Sequence, residues 1–356
     1  MKKIFINSAA SISPQKTFEK EYFFEDVILY NDTVISAVDP VYKEFIPPAA
    51  ARRMAKGIKM GVVASQLAMK EAKTETVDAI ITGTGMGCMI DSEKFVSAII
   101  DNQEQYLTPT SFIQSTHNTV AGQIALGIQC KAYNFTYVHG SLSFESAVLD
   151  AKMQLENDEA ETILVGGVEE LGEHTTKVHA VIHHIKWDPV PSSEILKAET
   201  KGAVFSEGAH FFVLSNKKSD SCYAELTDLK LFNTLEKNRI KTALISFLEK
   251  NNLYVSDIDV VILGNNGDSE YDHFYQPISD DLFKETQQVF YKHLVGENHS
   301  VSGFSVWLGS KILKNQEVPE AVKMNQIIKK DSEINHILCY NQYRGKDHSF
   351  ILLKKC

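Results

Sequence analysis

The sequence predicts an α/β fold built from two similar halves. Three observations lead there. Short apolar, β-branched runs recur along the chain, segments of helical period separate them, and the alternation restarts after the polar stretch 216–221. The halves share no repeated sequence, so the duplication rests on element order alone. The boundary falls near residue 218, giving units 1–218 and 219–356.

A first strand covers 3–12, and the acidic, aromatic stretch 18–46 reads as loops and short elements. Residues 52–73 form a helix whose apolar positions are Met54, Ile58, Met60, Val63, Ala64, Leu67 and Ala68. Residues 78–87 are a buried strand running into a glycine-rich turn. Gly83, Gly85 and Gly87 alternate instead of following GxGxxG, and no acidic strand end follows to hold a ribose, so a dinucleotide site is not expected. A helix at 91–102, a break at 108–112 and a helix at 117–129 come next. In the last of these, Ala121, Gly122, Ala125 and Gly127 permit close packing.

The stretch 133–147 organises the chain. It starts as an aromatic and β-branched run, turns at His139-Gly140 and continues as a helix with Leu142, Ala147, Val148, Ala151 and Leu155 in register. Ser141 is thereby placed at a helix N-terminus, where free N–H groups and the dipole favour an anion or oxyanion. Nucleophiles of acyl transfer are kept at such places. The plainer alternative is that Ser141 only caps the helix. A strand at 161–168, an irregular region rich in His, Pro and Ser at 172–198, and a turn and strand at 202–215 close the first half.

The second half reads as a strand at 223–232, a helix at 235–250, a strand at 258–264 and a turn at 265–267. Helical segments at 279–294 and 301–314 follow, then strands at 335–341 and 348–354. Residues 326–331 read as an exposed connection.

With 44% hydrophobic and 23% charged residues, the composition is that of a globular protein. The net charge of -10 argues against nucleic acid as a partner, because nothing would neutralise phosphates. No apolar run approaches the roughly 20 residues of a membrane helix. Cys88, Cys130, Cys222, Cys339 and Cys356 make no CxxC pair and no regular framework. Without a signal peptide at the start they read as reduced thiols of a cytoplasmic protein. His174, His179, His183 and His184 lie close together, but no Cys or carboxylate completes a metal-ligand spacing. They read as a solvated loop, and no metal or cofactor is expected.

Several segments together resemble the β-ketoacyl synthase family of the thiolase fold. Residues 118–125, Asn-Thr-Val-Ala-Gly-Gln-Ile-Ala, are similar to that family's N-M-x-A-G-x-I-A helix. Asn134 precedes Ser141 at the distance that separates the family's G-P-N motif from its catalytic cysteine. Residues 202–214, Gly-Ala-Val-Phe-Ser-Glu-Gly-Ala-His-Phe-Phe-Val-Leu, resemble G-F-V-x-G-E-G-A-G-x-x-V-L nearly position for position. Residues 292–303, from Lys292 to Gly303, are similar to K-x-x-x-G-H-x-x-x-A-A-G, and residues 82–87 and Asn341 agree as well. The resemblance covers nearly the whole chain. It implies a thiolase-like five-layer αβαβα subunit, dimeric through the 110–140 region.

The departures bear on function. The family's decarboxylative condensation uses a cysteine thiolate and two histidines that polarise the thioester and stabilise an enolate. Ser141 stands at the cysteine position, Asn266 at the first histidine and Glu297 at the second, while the motif lysine is kept as Lys292. The glycine-rich gating turn is Gln342-Tyr343-Arg344-Gly345, without the usual phenylalanine. Serine without a base is a poor nucleophile, and an anion at residue 297 opposes an enolate.

The resemblance therefore implies a degenerate, chain-length-factor-like subunit. Its partners would be an active ketosynthase, or a second copy, and an acyl carrier protein. It would act in fatty-acid or polyketide synthesis of the aryl-polyene type. Phe112, Thr116, Tyr137 and Asn118 would lie at the tunnel wall or interface, with ordinary packing as the plainer reading; Ser115 and His117 are lesser candidates. The alternative is a Ser141-dependent acyltransferase or thioesterase with His139, His273 or His299 as base. His299, two residues past the family's histidine, would face elsewhere if it were helical. A condensing enzyme with a Ser-Asn-Glu set is the third reading.

Overall fold

A computed structural model describes residues 2–327 and 333–356; residues 328–331 of the expected connection lie outside the described residues. In chain order the first half contains β1 (Phe5–Ile12), β2 (Val34–Ile35), α1 (Pro48–Ala51), α2 (Lys56–Ala72), β3 (Ala79–Gly83), α3 (Met89–Asp101), α4 (Pro109–Ser115), α5 (Thr119–Gly127), β4 (Tyr133–Tyr137), α6 (Ser143–Glu156), β5 (Thr162–Glu169), α7 (Glu173–Val181), β6 (Phe205–Ser206) and β7 (Gly208–Ser215). The second contains β8 (Ala224–Phe232), α8 (Ile240–Lys250), β9 (Val260–Leu263), β10 (Gln287–Phe290), α9 (Lys292–Val295), α10 (Ser302–Asn315), β11 (His336–Tyr343) and β12 (Asp347–Lys354).

Apart from the short β2–β6 pair, the strands make one ten-stranded sheet, ordered β10-β9-β11-β12-β8-β1-β7-β5-β3-β4. Its two five-strand parts, β4-β3-β5-β7-β1 and β10-β9-β11-β12-β8, have the same order. Both run parallel, parallel, antiparallel, antiparallel. Phe5↔Glu225 and Ile6↔Ala224 join β1 to β8. The duplication inferred from element order is thus a duplication of topology.

Five layers result. Helices α2 and α5 pack on one face of the first half, and α8 packs on the outer face of the second. Between the halves lie α6 and α10. A helix covered on both sides must be apolar all round. Helix α10 meets this with Phe304, Trp307, Leu308 and Ile312, each almost fully buried. Burial of each such side chain contributes about 1.5–3 kcal/mol. Small residues keep the layers close: a Cβ on Gly309 would sit 2.8 Å from Leu353 Cδ1.

Four sequence expectations are corrected. The break at 108–112 is the helix α4, whose first turn tolerates Pro109 because that N–H would be unpaired anyway. The irregular region at 172–198 contains α7, whose first free N–H groups, from His174 and Thr175, donate to Glu93 of α3 at 3.1 and 2.7 Å. A cap supplied from another element leaves no local signal. The helical segment at 279–294 is a short π-helical turn (Pro277–Leu282), the edge strand β10 and the four-residue α9. Finally, Cys222 and Cys356, 134 residues apart, form a disulfide, while Cys88, Cys130 and Cys339 are free thiols.

The first turn of α6 lies directly against β3. A Cβ on Gly83 would sit 2.3 Å from Ser143 O and 2.6 Å from Phe144 N, both main-chain atoms. Gly83→Ala must push strand and helix apart. It is expected to lower stability by about 1–3 kcal/mol, the usual cost of overpacking, read as a lower urea midpoint at unchanged m-value.

Candidate functional site

The residues of interest collect at the carboxyl ends of the parallel strands, where α/β folds bind ligands. Ser141 is buried in a 3-10 turn, residues Gly140–Leu142, just ahead of α6. Its Oγ donates to Asp347 Oδ2 at 2.7 Å. No side chain caps the turn or α6; the Ser143 hydroxyl accepts from His139 N at 2.8 Å and lies 2.7 Å from Gly140 O. The reading of Ser141 as a mere cap is therefore corrected. Asp347 was not found from the sequence: a lone aspartate after a hairpin turn carries no motif.

Asn266, Lys292 and Glu297 do converge. Asn266 Nδ2 donates to Glu297 Oε2 at 2.6 Å, and Lys292 Nζ donates to the same oxygen at 2.7 Å and to Asn341 Oδ1 at 2.8 Å. The side chains of Lys292 and Glu297 are 0% and 2% exposed. Burying either ion alone would cost several kcal/mol, so each requires the other. Glu297 is also fixed through its backbone. Its N–H donates to Val204 O at 2.7 Å, and its carbonyl accepts from Ser206 N at 2.9 Å. Two motifs some 90 residues apart in the chain, at 202–214 and 292–303, are thus one structural unit. Gly296 allows it, with φ 71° and Ser206 Cβ only 2.7 Å from where a Cβ would be.

The turn that carries Asn266 is clamped from both sides. Asp272 accepts from Asn266 N at 3.1 Å and Gly267 N at 2.8 Å, and the buried Lys186 donates to Gly267 O at 2.8 Å. Burial pushes the Asp272 carboxyl up to about 6, against the two backbone N–H bonds that favour its charge. On the other wall, Glu169 at the end of β5 accepts from Gly85 N and from Met86 N, the latter at 3.2 Å. Burial likewise pushes Glu169 and Glu145, the latter bonded to Ser349 Oγ at 2.8 Å, up to about 7.

The candidate bases are engaged elsewhere. His139 Nδ1 lies 3.1 Å from Ser146 Oγ, and His273 stacks on Phe274 with ring centroids 4.6 Å apart. His299 is not helical, so the rotation argument that turned it away does not hold. It lies in a turn, against Gly85 and 5.1 Å from the Tyr343 ring. Of the four clustered histidines, His179 and His184 face each other with Nδ1 atoms 3.1 Å apart, and burial lowers the pKa of both.

Phe112 and Ile113 on α4, Leu126 on α5, and Tyr133, Phe135 and Val138 on and just after β4 are between 44% and 73% exposed. Asn118 and half-buried Thr116 lie between α4 and α5 on the same side, with exposed His117 and half-buried Ser115 beside them. Tyr137 is half buried, 4.9 Å from Phe135.

The fold defines a thiolase-type subunit, and its site holds the closed Lys292–Glu297 ion pair. Residues 29–220 match the family described as Beta-ketoacyl synthase, N-terminal domain, and the chain belongs to that family. No curated protein matches it in sequence. Among solved structures it is similar to "The ishigamide ketosynthase/chain length factor", with TM-score 0.81, 14% identity, and coverage of 100% of this chain and 99% of that one. A β-ketoacyl synthase from Burkholderia phymatum gives TM-score 0.80 at 16% identity, with both chains fully covered. A ketosynthase in complex with its chain length factor from Xenorhabdus doucetiae gives 0.77 at 13% identity, covering 100% of this chain and 98% of that one.

Glu145 provides a pH test. Its folded pKa of about 7 lies above the ordinary value of 4.5, so between those values the folded state holds a proton that the unfolded state has lost. Its contribution is full below the lower value and disappears as pH rises through the higher one. The buried histidines His210, His293 and His299, pushed down to about 3, 4 and 4, give the opposite slope. The comparison must therefore be between variants. Glu145→Gln is expected to gain stability relative to the native chain between pH 5 and pH 7.5, read from urea midpoints. A difference that does not move with pH overturns this assignment.

Proposed function

We propose that this chain is a ketosynthase-like subunit without condensing activity of its own. It serves as the chain-length-factor-type partner of an active ketosynthase, in fatty-acid or polyketide chain building of the aryl-polyene-like kind, with 1–218 and 219–356 as its two thiolase-like units. One observation carries the reading: Asn266 and Lys292, the donors at the condensing centre, are both committed to the buried carboxylate of Glu297. An enolate forming there would meet an anion instead of free donors. Ser141 is held by Asp347 and lacks the thiolate that loads an acyl chain.

The partner role draws support from the surface. Strand β4 is one of the two edges of the sheet, so its outer N–H and C=O groups face away from β3 and suit another strand. Exposed apolar residues of α4, α5 and β4 adjoin that edge, and such patches mark interaction sites. The same face would serve a heterodimer or a homodimer, and Phe112, Thr116, Tyr137 and Asn118 all belong to it. Among the similar structures are ketosynthase and chain-length-factor assemblies, and one is described as an acyl-carrier protein in complex with its ketosynthase. We place this chain in the cytoplasm, with an acyl carrier protein as a further partner. The Ser141–Asp347 hydrogen bond favours a second reading, an acyltransferase or thioesterase whose hydroxyl passes its proton to a carboxylate. Engagement of His139 with Ser146 leaves that reading the weaker.

Co-purification from the native host, with intact-mass analysis, tests the proposal. A stoichiometric second ketosynthase with Ser141 unmodified is expected; an acylated Ser141 without such a partner overturns it. Ser141→Ala should leave pathway output within about twofold, since the hydroxyl takes no part in the chemistry and losing its bond to the Asp347 carboxylate costs about 1.5–3 kcal/mol of local stability. Phe135→Asp puts a charge on the exposed edge strand. It should abolish the complex while the isolated subunit keeps its thermal midpoint, checked by gel filtration and circular dichroism.

A further inference from the structure

A cavity of about 270 Å³ opens between the start of the chain, the end of α2 and the central helix α10, away from the Ser141 and Glu297 region. Its apolar lining comes from Ala9, Ala10, Phe18, Leu67, Tyr223 and Trp307. Cavities of roughly 150 Å³ already hold a benzene ring, so this one admits a small ring or a short acyl chain. Its polar lining is dominated by cations, in a chain whose net charge is -10. Lys20, Lys70, Lys73 and Lys311 face it, against Glu19 and Glu71. Glu71 is engaged with the Tyr223 hydroxyl at 2.6 Å.

Lys311 is the unusual member. It is 7% exposed, with Nζ 5.7 Å from the centre of the Trp307 ring. One of its protons goes to Lys20 O at 2.6 Å, which leaves two donors uncommitted by that bond. Lys314 adds positive charge just behind the wall, its Nζ 3.5 Å from the centre of the Tyr223 ring. Burial lowers the pKa of both lysines. An anion at the mouth would restore part of the solvation that burial removes. Together these groups form an apolar floor with a cationic rim.

We infer that this cavity binds a small apolar carboxylate, its hydrocarbon part against Trp307 and Tyr223 and its carboxylate on Lys311. The site is independent of the partner reading above. It uses none of the residues at the condensing centre or on the exposed α4–α5–β4 face.

The protein carries its own reporter. Its two tryptophans are Trp187, exposed, and Trp307, buried beneath the cavity. In the full-length Trp187→Phe chain, emission comes from Trp307 alone. Titration with octanoate is expected to give a saturable emission shift in the millimolar range or tighter. Octanol should bind about tenfold or more weakly, because it lacks the charge-assisted bond, and inorganic phosphate should give no shift.

Adding Lys311→Met should weaken octanoate about tenfold while leaving octanol unchanged. Lys73→Gln, at the rim, should weaken it a few-fold and guards against misfolding of the first variant. No saturable shift with octanoate, equal binding of octanol, or a shift with phosphate alone would each overturn the assignment.

Discussion

The buried contact between Lys292 and Glu297 is the constraint on which the site depends. Two ions without solvent are tolerable only if each satisfies the other and their remaining hydrogen-bonding capacity is used. Here Asn266 takes up Glu297 and Asn341 takes up Lys292. These four residues come from the loop after β9, from α9 and the turn behind it, and from β11. The pair therefore ties together the chain segments that surround the carboxyl ends of the second half-sheet. Gly264 makes room for it, since a Cβ there would fall 2.3 Å from Asn341 Oδ1.

A ketosynthase presents neutral or cationic donors to a developing enolate. Placing a carboxylate at residue 297 reverses the field, and the retained lysine then has an internal anion to neutralise. Ser141 and Asp347 form a second polar seam of this kind, one that joins the start of α6 to the hairpin between β11 and β12. Several exposed apolar side chains sit on α4, α5 and β4.

Layering sets the remaining constraints. Helices α6 and α10 lie between two half-sheets and are mostly buried, so the buried polar residues on them must find partners within the protein. Glu145 on α6 bonds Ser349 of β12, and Lys152 on the same helix pairs with Glu156 and with Asp228 of β8. The Glu145–Ser349 and Lys152–Asp228 contacts cross from the first half of the chain to the second. The duplicated topology is held as a single body by these side chains as much as by the brief β1–β8 pairing.

Apart from α4, α7 and β10, the order of strands and helices was legible in the sequence, as were the buried runs and the strand-to-helix turn at Ser141. Each is a local property: a period, a turn residue, or a residue type at a motif position. The nature of the site was not. Whether Glu297 is a misplaced anion or half of an ion pair depends on where Lys292 points, which packing decides. The partner of Ser141 lies 206 positions away in the chain, and the pairing of Cys222 with Cys356 likewise awaits closure of the sheet. Helix α7 is capped by Glu93 from α3, and β10 exists as a strand only because β9 lies beside it. Local periodicity fixes most of the elements that form. Contacts between distant residues, which only the tertiary structure makes, decide what the elements do to one another.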